Sequence, residues 1–167
     1  LKGADALGKW TAETTVQWPA KAQKTSPSEA SLTWRRHIRK TVKDAAELKV
    51  EWTRHGPDLR KKGHFPRMRY LNHLGRLWED RMARDRAALD ALTTGDASFD
   101  QRIRIETKSF YDALDGYYTN GWAVAMDAFA ESNVIDEPKL KAGKAAFKKT
   151  WKALTRAGKK VKIPSAG

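Results

Sequence analysis

Apolar residues recur at intervals of three and four along most of this chain, and this spacing constrains the fold more than any other feature of the sequence. In the first such region it predicts a helix, or a broken pair of helices, that begins near Ser28 and ends near Gly56-Pro57. The apolar stripe of this region comprises Leu32, Ile38, Val42, Ala45, Ala46, Leu48 and Trp52.

Helical spacing returns in four later regions, each followed by residues that end helices. No segment combines β-branched residues with strict alternation, so the sequence predicts no strand and an all-α fold. The predicted helices cover 68–92, ended by Gly95; 99–117, beginning after Asp96 or Ser98 and broken by Asn120-Gly121; 122–132, ended by Asn133 and Pro138; and 140–154, closed by Gly158 and Pro164.

The composition favours one folded domain. The chain has 167 residues, with seven Trp, five Phe and four Tyr to fill a core. It has no Cys, which excludes disulfides, thiolate metal sites and a Cys nucleophile. Its apolar runs are much shorter than the ~20 residues of a membrane-spanning helix, so we expect no transmembrane segment.

The spacing of apolar residues and the distribution of charge divide the chain into three segments. Residues 1–28 hold Trp10 and Trp18 without a helical period, and we interpret them as an extended arm whose Trp side chains anchor on this domain or on a partner. Residues 29–138 carry the helical regions, and 139–167 form a basic C-terminal helix and tail. A basic chain that starts at Leu1 fits either a mature protein of the mitochondrial matrix, which is the localisation we expect, or a trimmed fragment.

The excess of positive charge predicts a polyanionic partner. Lys and Arg number 33 against 20 Asp and Glu, which gives a net charge of +13. Ten of these cations, and no acidic residue, lie between Lys139 and Lys162. Such clustering indicates contact with an acidic protein surface, RNA or anionic lipid. On a helical projection one side of this region presents Lys141, Lys144, Lys148 and Lys152, and another presents Phe147, Trp151 and Leu154.

A second cluster contains Trp34, Arg35, Arg36, His37, Arg39 and Lys40, and its candidate partner-binding residues are Trp34, Arg35 and Arg36. A Trp beside Arg can stack on nucleic-acid bases, or it can fill a pocket of a partner protein and form ion pairs at the rim. The sequence leaves both alternatives open.

Catalytic patterns are not found. The four His residues never lie three or four positions apart, and no Gly-rich phosphate loop occurs. Two carboxylate pairs, Glu79-Asp80 and Asp112 with Asp115, lie on predicted helices, where such pairs more often form ion pairs with Arg than act as an acid and a base. We therefore expect no catalytic residue, no metal and no cofactor, and we predict that the protein is not an enzyme.

Internal repetition gives a family resemblance. Residues 109–138 resemble a pentatricopeptide repeat, with weaker resemblances in 45–58 and 86–96. The residues that match in the first of these are Phe110, Leu114, Asp115, Gly116, Tyr117, Gly121, Ala125, Met126 and Phe129, and in the second Ala45, Leu48, Glu51, Trp52, Gly56, Pro57 and Asp58.

This resemblance implies a short α-solenoid of stacked antiparallel helix pairs, with about three degenerate repeats in the central segment. The alternative is a generic helical bundle in which Gly and Pro only end helices. The residues expected to pack the repeats together are Ala45, Leu48, Trp52, Phe110, Leu114, Tyr117, Ala125 and Phe129.

The resemblance also bears on function. Pentatricopeptide proteins often read single-stranded RNA, but Asp112 occupies the base-reading position here and its charge would repel phosphate. The chain is similar in size and charge to the small pentatricopeptide-type subunits on the catalytic head of euglenozoan mitochondrial ATP synthase. We therefore expect a noncatalytic structural subunit that stabilises a larger complex with an acidic surface and is not a free monomer. The alternative is a mitochondrial ribosomal or other RNA-binding protein.

Overall fold

The computed structural model describes residues 23–55, 65–129 and 136–165, most of which are helical, and this confirms the predicted all-α class. Helical backbone continues without a break from Ala97 through a π-helical segment to Asp127. The elements in chain order are β1 (Gln23–Lys24), α1 (Pro27–His55), α2 (Phe65–Asp90), β2 (Leu92–Thr93), α3 (Ala97–Gly116), the π-helical segment (Tyr117–Trp122), α4 (Ala123–Asp127) and α5 (Glu137–Lys160).

Polar side chains cap three of the helices. Ser26 Oγ accepts a hydrogen bond from the Glu29 backbone N–H at 3.2 Å at the start of α1. Asp96 accepts from the Phe99 N–H at 3.1 Å, as expected for α3. Asp136 accepts from the Lys139 N–H at 3.1 Å and starts α5. Each carboxylate or hydroxyl satisfies a backbone donor that has no partner within the helix.

The predicted break at Asn120-Gly121 is wrong. The backbone stays helical across this pair, in the π-helical segment. The reason is tertiary packing, because a Cβ at Gly121 would overlap the side chain of Thr150 on α5. Gly121 therefore allows two helices to approach closely instead of ending one.

The predicted limits of the last helix are also wrong. α5 starts earlier, with Pro138 in its first turn, where the missing N–H of proline costs no hydrogen bond. It also continues through Gly158, where a Cβ would lie 3.2 Å from Val42 Cγ2. Gly158 thus provides space for α1.

A short parallel pair of strands was not predicted. Gln23 pairs with Leu92 and Lys24 with Thr93, and the Thr25 N–H donates to the Thr93 carbonyl oxygen at 2.8 Å. Two residues are too few to produce a recognisable alternation in the sequence.

One hydrophobic core includes residues from α1 to α5, so the C-terminal helix shares its core with the predicted central segment. α5 packs against α1, α3, the π-helical segment and α4. The ring of Phe147, on α5, lies in this core among three other aromatic rings. The distance between ring centroids is 5.6 Å to Trp52, 5.2 Å to Tyr117 and 6.0 Å to Trp122. The eight residues expected to pack the repeats are all buried.

Candidate functional site

The four predicted lysines of α5 are exposed and share one face of the helix. Lys141, Lys144, Lys148 and Lys152 follow one another at steps of three and four, and the same steps lead on to Thr155 and Lys159. Thr155 and Lys159 line a groove at the end of α5. We call these six residues the α5 stripe. It therefore runs from exposed helix surface directly into a concave site.

The other wall of the groove is α1, which lies antiparallel to α5. Lys49 Nζ lies 5.3 Å from the centre of the Trp151 ring, and Val42 lies opposite Gly158. Arg35 donates a hydrogen bond from Nη2 to Ser165 Oγ at 3.2 Å, after the end of α5. Because α1 and α5 are antiparallel, the residues that follow α5 lie beside the N-terminal half of α1.

We call this concavity the cationic groove, and its volume is about 620 Å³. Four exposed cations stand on its walls, two from α1 and two from the end of α5 and the residues after it. Aliphatic side chains lie between them. Its lining consists of Arg35, Ile38, Arg39, Val42, Thr155, Gly158, Lys159, Val161, Lys162 and Ile163.

The lining determines the chemistry of the groove. Among the described residues it contains no carboxylate that would neutralise Arg35, Arg39, Lys159 or Lys162. Converging cations with low-dielectric walls create a positive potential that attracts anions. Arg can hold a carboxylate or phosphate with two parallel hydrogen bonds, and Lys adds a compact charge. The groove is therefore suited to a ligand that carries both anionic groups and an aliphatic group.

Trp34 does not lie on this surface. Its side chain is buried, and its ring meets His37 at 6.0 Å and Tyr111 at 6.1 Å between centroids, both edge-on. The neighbouring Arg35 and Arg36 are exposed. The structure thus separates the predicted cluster into a core aromatic residue and two surface cations. The other two predicted partner-binding residues, Trp10 and Trp18, lie outside the described residues.

Two buried polar contacts join α1 to its neighbours, one to α3 and one to α2. His37 Nε2 is 3.5 Å from Thr41 Oγ1 and 3.3 Å from Tyr111 Oη, and burial, together with the charge of Lys40, lowers the pKa of His37 to about 4. Burial raises the pKa of Asp44 to about 6, although Arg81 Nη1 lies 3.7 Å from Asp44 Oδ2. Burial therefore makes the charged forms of His37 and Asp44 costly. The first contact joins α1 to α3, and the second joins α1 to α2.

A second groove, of about 430 Å³, lies between α2 and α3. Its walls carry Glu79, Asp90 and Asp115, and also Arg86, whose guanidinium carbon lies 4.3 Å from the centre of the Tyr111 ring. Arg86 Nη1 is 3.4 Å from Asp115 Oδ2, so the cation is paired within the chain. This groove has mixed charge, in contrast to the cationic groove.

The sequence places Lys159 and Lys162 in the basic segment but does not single them out for partner binding, and it gives no sign of the aliphatic residues of the cationic groove. The steps of three and four from Lys152 to Thr155 and Lys159 could have revealed one wall. The α1 wall could not be found in the same way, because it depends on the pairing of α1 with α5.

Two further features concern the part of the chain that the structure describes. Within residues 23–55, 65–129 and 136–165, no three His, Asp or Glu side chains converge so that they could hold a metal ion. None of the helices there has the length and apolarity needed to cross a bilayer. Comparison with known families, curated proteins and solved structures found no match.

Proposed function

We propose that this protein is a noncatalytic structural subunit that binds an acidic surface of a larger assembly through the cationic groove and the α5 stripe. One observation carries the proposal: four cations surround an aliphatic floor, with no carboxylate in the described lining. The pentatricopeptide resemblance directs the proposal to the catalytic head of mitochondrial ATP synthase, in the matrix. The eight repeat-packing residues are buried in one shared helical core, which would serve as the scaffold for this surface.

The groove favours a protein partner over RNA because of what lies between its cations. Sites for single-stranded RNA stack bases on aromatic side chains. The described lining has no aromatic residue, and Trp34 is buried in the core. Aliphatic residues such as Val42 and Val161 instead suit an apolar side chain of a partner, ringed by ion pairs.

The experiment reverses two charges of the α5 stripe in the native complex. Lys152→Glu with Lys159→Glu should release the protein from the purified assembly, because both cations face the partner. Lys149→Glu with Lys160→Glu is the matched control, since these exposed lysines lie on the same helix with the same charge but off the stripe. Equal retention of both double variants would contradict the proposal.

Cross-linking identifies the partner. Mass spectrometry of the cross-linked complex should join Lys152, Lys159 or Lys162 to acidic segments of one neighbouring chain. Cross-links that avoid these lysines and connect the opposite face of the protein to the assembly would contradict the proposed orientation.

RNA is the alternative partner, because the same cations could neutralise phosphates as in a ribosomal protein. RNA binding would weaken steeply with salt, with a slope that reflects the number of phosphate contacts. We expect the native complex to retain the protein after ribonuclease treatment in moderate salt. Release by ribonuclease alone would establish the RNA alternative instead.

A further inference from the structure

We infer that the occupant of the cationic groove and α5 stripe is an acidic amphipathic α-helix of the partner, with carboxylates along one edge and an aliphatic side chain in the groove. This inference rests on the proposed function and specifies the form of the partner segment. It depends on the spacing of the cations, on the floor of the groove and on the geometry by which α1 and α5 meet.

The spacing of the stripe matches the ridges of another helix. Its six residues from Lys141 to Lys159 are separated by steps of three and four along α5. At 1.5 Å per residue these steps give axial distances of about 4.5 to 6 Å and a total length of about 27 Å. Acidic residues at steps of three and four on a partner helix have the same axial spacing, so carboxylates and lysines stay in register along the whole length.

An extended segment would lose this register. Side chains on one face of a strand are about 6.6 to 6.8 Å apart, because every second residue faces the same way. Over the length of the stripe such carboxylates would drift by about one lysine position. The spacing therefore favours helical over extended partners.

The groove adds a requirement for an apolar side chain. Gly158 contributes no side chain to the lining, and Val42, Val161 and Ile163 leave an aliphatic surface between the cations. Burying an aliphatic side chain there gains free energy that a purely acidic ligand would not obtain. A helix whose apolar residues are next to its carboxylates meets both conditions, as in other complexes where an amphipathic helix lies in a groove.

Thr155 separates two parts of the binding surface, the exposed lysines along α5 and the cationic groove. Thr155 interrupts the lysines of the stripe at the point where it becomes a wall of the groove. Beyond this position, towards the residues that follow α5, Arg35 and Arg39 of the α1 wall add to the positive charge of the groove. The partner helix is thus expected to place its carboxylates on the lysines along α5 and to be held from two sides at the groove.

The test uses three synthetic peptides of about 20 residues, a length that spans the stripe. The first places Glu at alternating steps of four and three, with Leu on the adjacent face. The second has the same composition in scrambled order, and the third is the first peptide with Pro at its centre, which breaks the helix. Each peptide is titrated into the intact protein, and binding is monitored by calorimetry and NMR. The first peptide should bind at least about tenfold more tightly than either control.

Two protein variants and one control variant locate the binding. Lys152→Glu with Lys159→Glu should weaken the first peptide by about tenfold or more, and Lys149→Glu with Lys160→Glu should change its affinity little. Val161→Thr keeps the shape of the partly exposed side chain but makes the floor polar. It should weaken the first peptide and leave the scrambled peptide unaffected.

The outcomes separate this inference from the proposed function. Equal affinity for all three peptides would overturn the inference of a helical occupant, even if the Lys152→Glu, Lys159→Glu variant is released from the native assembly. The protein could instead bind the first peptide more tightly than the controls while the Lys152→Glu, Lys159→Glu variant stays in the native assembly. That result would support a helical ligand and contradict the proposed binding of the assembly through this surface. Tighter binding of an RNA oligonucleotide than of the first peptide, with the same sensitivity to Lys152 and Lys159, would overturn the inference in favour of RNA.

Discussion

Tyr117 donates a 2.6 Å hydrogen bond from its phenol to the backbone carbonyl oxygen of Ala45, which lies 72 positions earlier in the chain. Both residues are fully buried. The bond joins the start of the π-helical segment to the middle of α1, at a point where the aromatic ring also contacts Phe147 of α5. Burial raises the pKa of Tyr117 well above its usual range, so the phenol stays protonated and donates.

The first prediction removes this hydroxyl. Tyr117→Phe keeps the ring and its packing but leaves the buried carbonyl without its side-chain donor. We expect a loss of about 1 kcal/mol in the free energy of unfolding, measured by urea denaturation. Tyr118→Phe is the control, because Tyr118 is only half-buried and water can replace its hydroxyl in the hydrogen bond with Glu79. A Tyr117→Phe protein as stable as the parent would show that the bond contributes nothing.

The second prediction compares two helical glycines. At Gly143 a Cβ would lie 2.8 Å from the Cα of Ala125, so Gly143→Ala should destabilise the protein by about 1 to 3 kcal/mol through overpacking. At Gly116 the nearest atom is Asn120 Nδ2 at 3.9 Å. Gly116→Ala should therefore stabilise by up to about 1 kcal/mol, because Ala favours helix. Thermal unfolding measures both, and a stabilising Gly143→Ala would refute the close packing of α5 on α4.

The third prediction concerns pH. The pKa of Asp44 is raised to about 6, so the folded chain keeps a proton that the unfolded chain loses, and this contribution to stability declines as the pH rises from about 4 to 6. The pKa of His37 is lowered to about 4, so stability declines as the pH falls from 6.5 towards 4. The two effects oppose each other. We expect the free energy of unfolding of the parent to change little from these two groups in this window.

Single substitutions should reveal the two opposed effects. In Asp44→Asn the His37 effect remains, so stability should fall by about 3 kcal/mol as the pH decreases from 6.5 to 4. In His37→Gln the Asp44 effect remains, so stability should instead rise by a similar amount as the pH decreases from 6 to 4. Urea denaturation at several pH values measures the slopes. Parallel profiles for the two variants would refute the assignment.

The fourth prediction follows from mutual repulsion in the cationic groove. Lys159→Gln removes one of its four cations and should stabilise the isolated protein by a few tenths of a kcal/mol in low salt. The gain should disappear at about 1 M salt, where charges are screened over about 3 Å. Lys149→Gln, on the same helix but outside the groove, should give a smaller gain. Salt-independent stabilisation by Lys159→Gln would indicate a cause other than repulsion.

The helices and their apolar faces could be predicted from the sequence because both depend on local order. The N-cap at Asp96 follows from a side chain and from backbone preferences within a few positions. The errors at Gly121 and Gly158 have one cause. A glycine has the same local signal whether it ends a helix or makes room for another, and only the tertiary neighbours Thr150 and Val42 distinguish the two.

The candidate site was predictable in part for the same reason. The lysines of α5 are exposed because their spacing opposes them to Phe147 and Leu154, which is a property of one helix. Their combination with Arg35 and Arg39 requires α1 to lie antiparallel to α5, and no local pattern contains that information. Trp34 shows that neighbours in sequence need not share a surface, because its side chain is buried in the core while that of Arg35 is exposed.

The central position of Phe147 affects the order in which the protein can mature during synthesis. Trp52, Tyr117 and Trp122 leave the ribosome before α5, and their shared contact is with Phe147. Until that residue emerges, the nascent chain exposes the aromatic surface that α5 later covers. Burial of this aromatic surface therefore has to wait until α5 has left the ribosome.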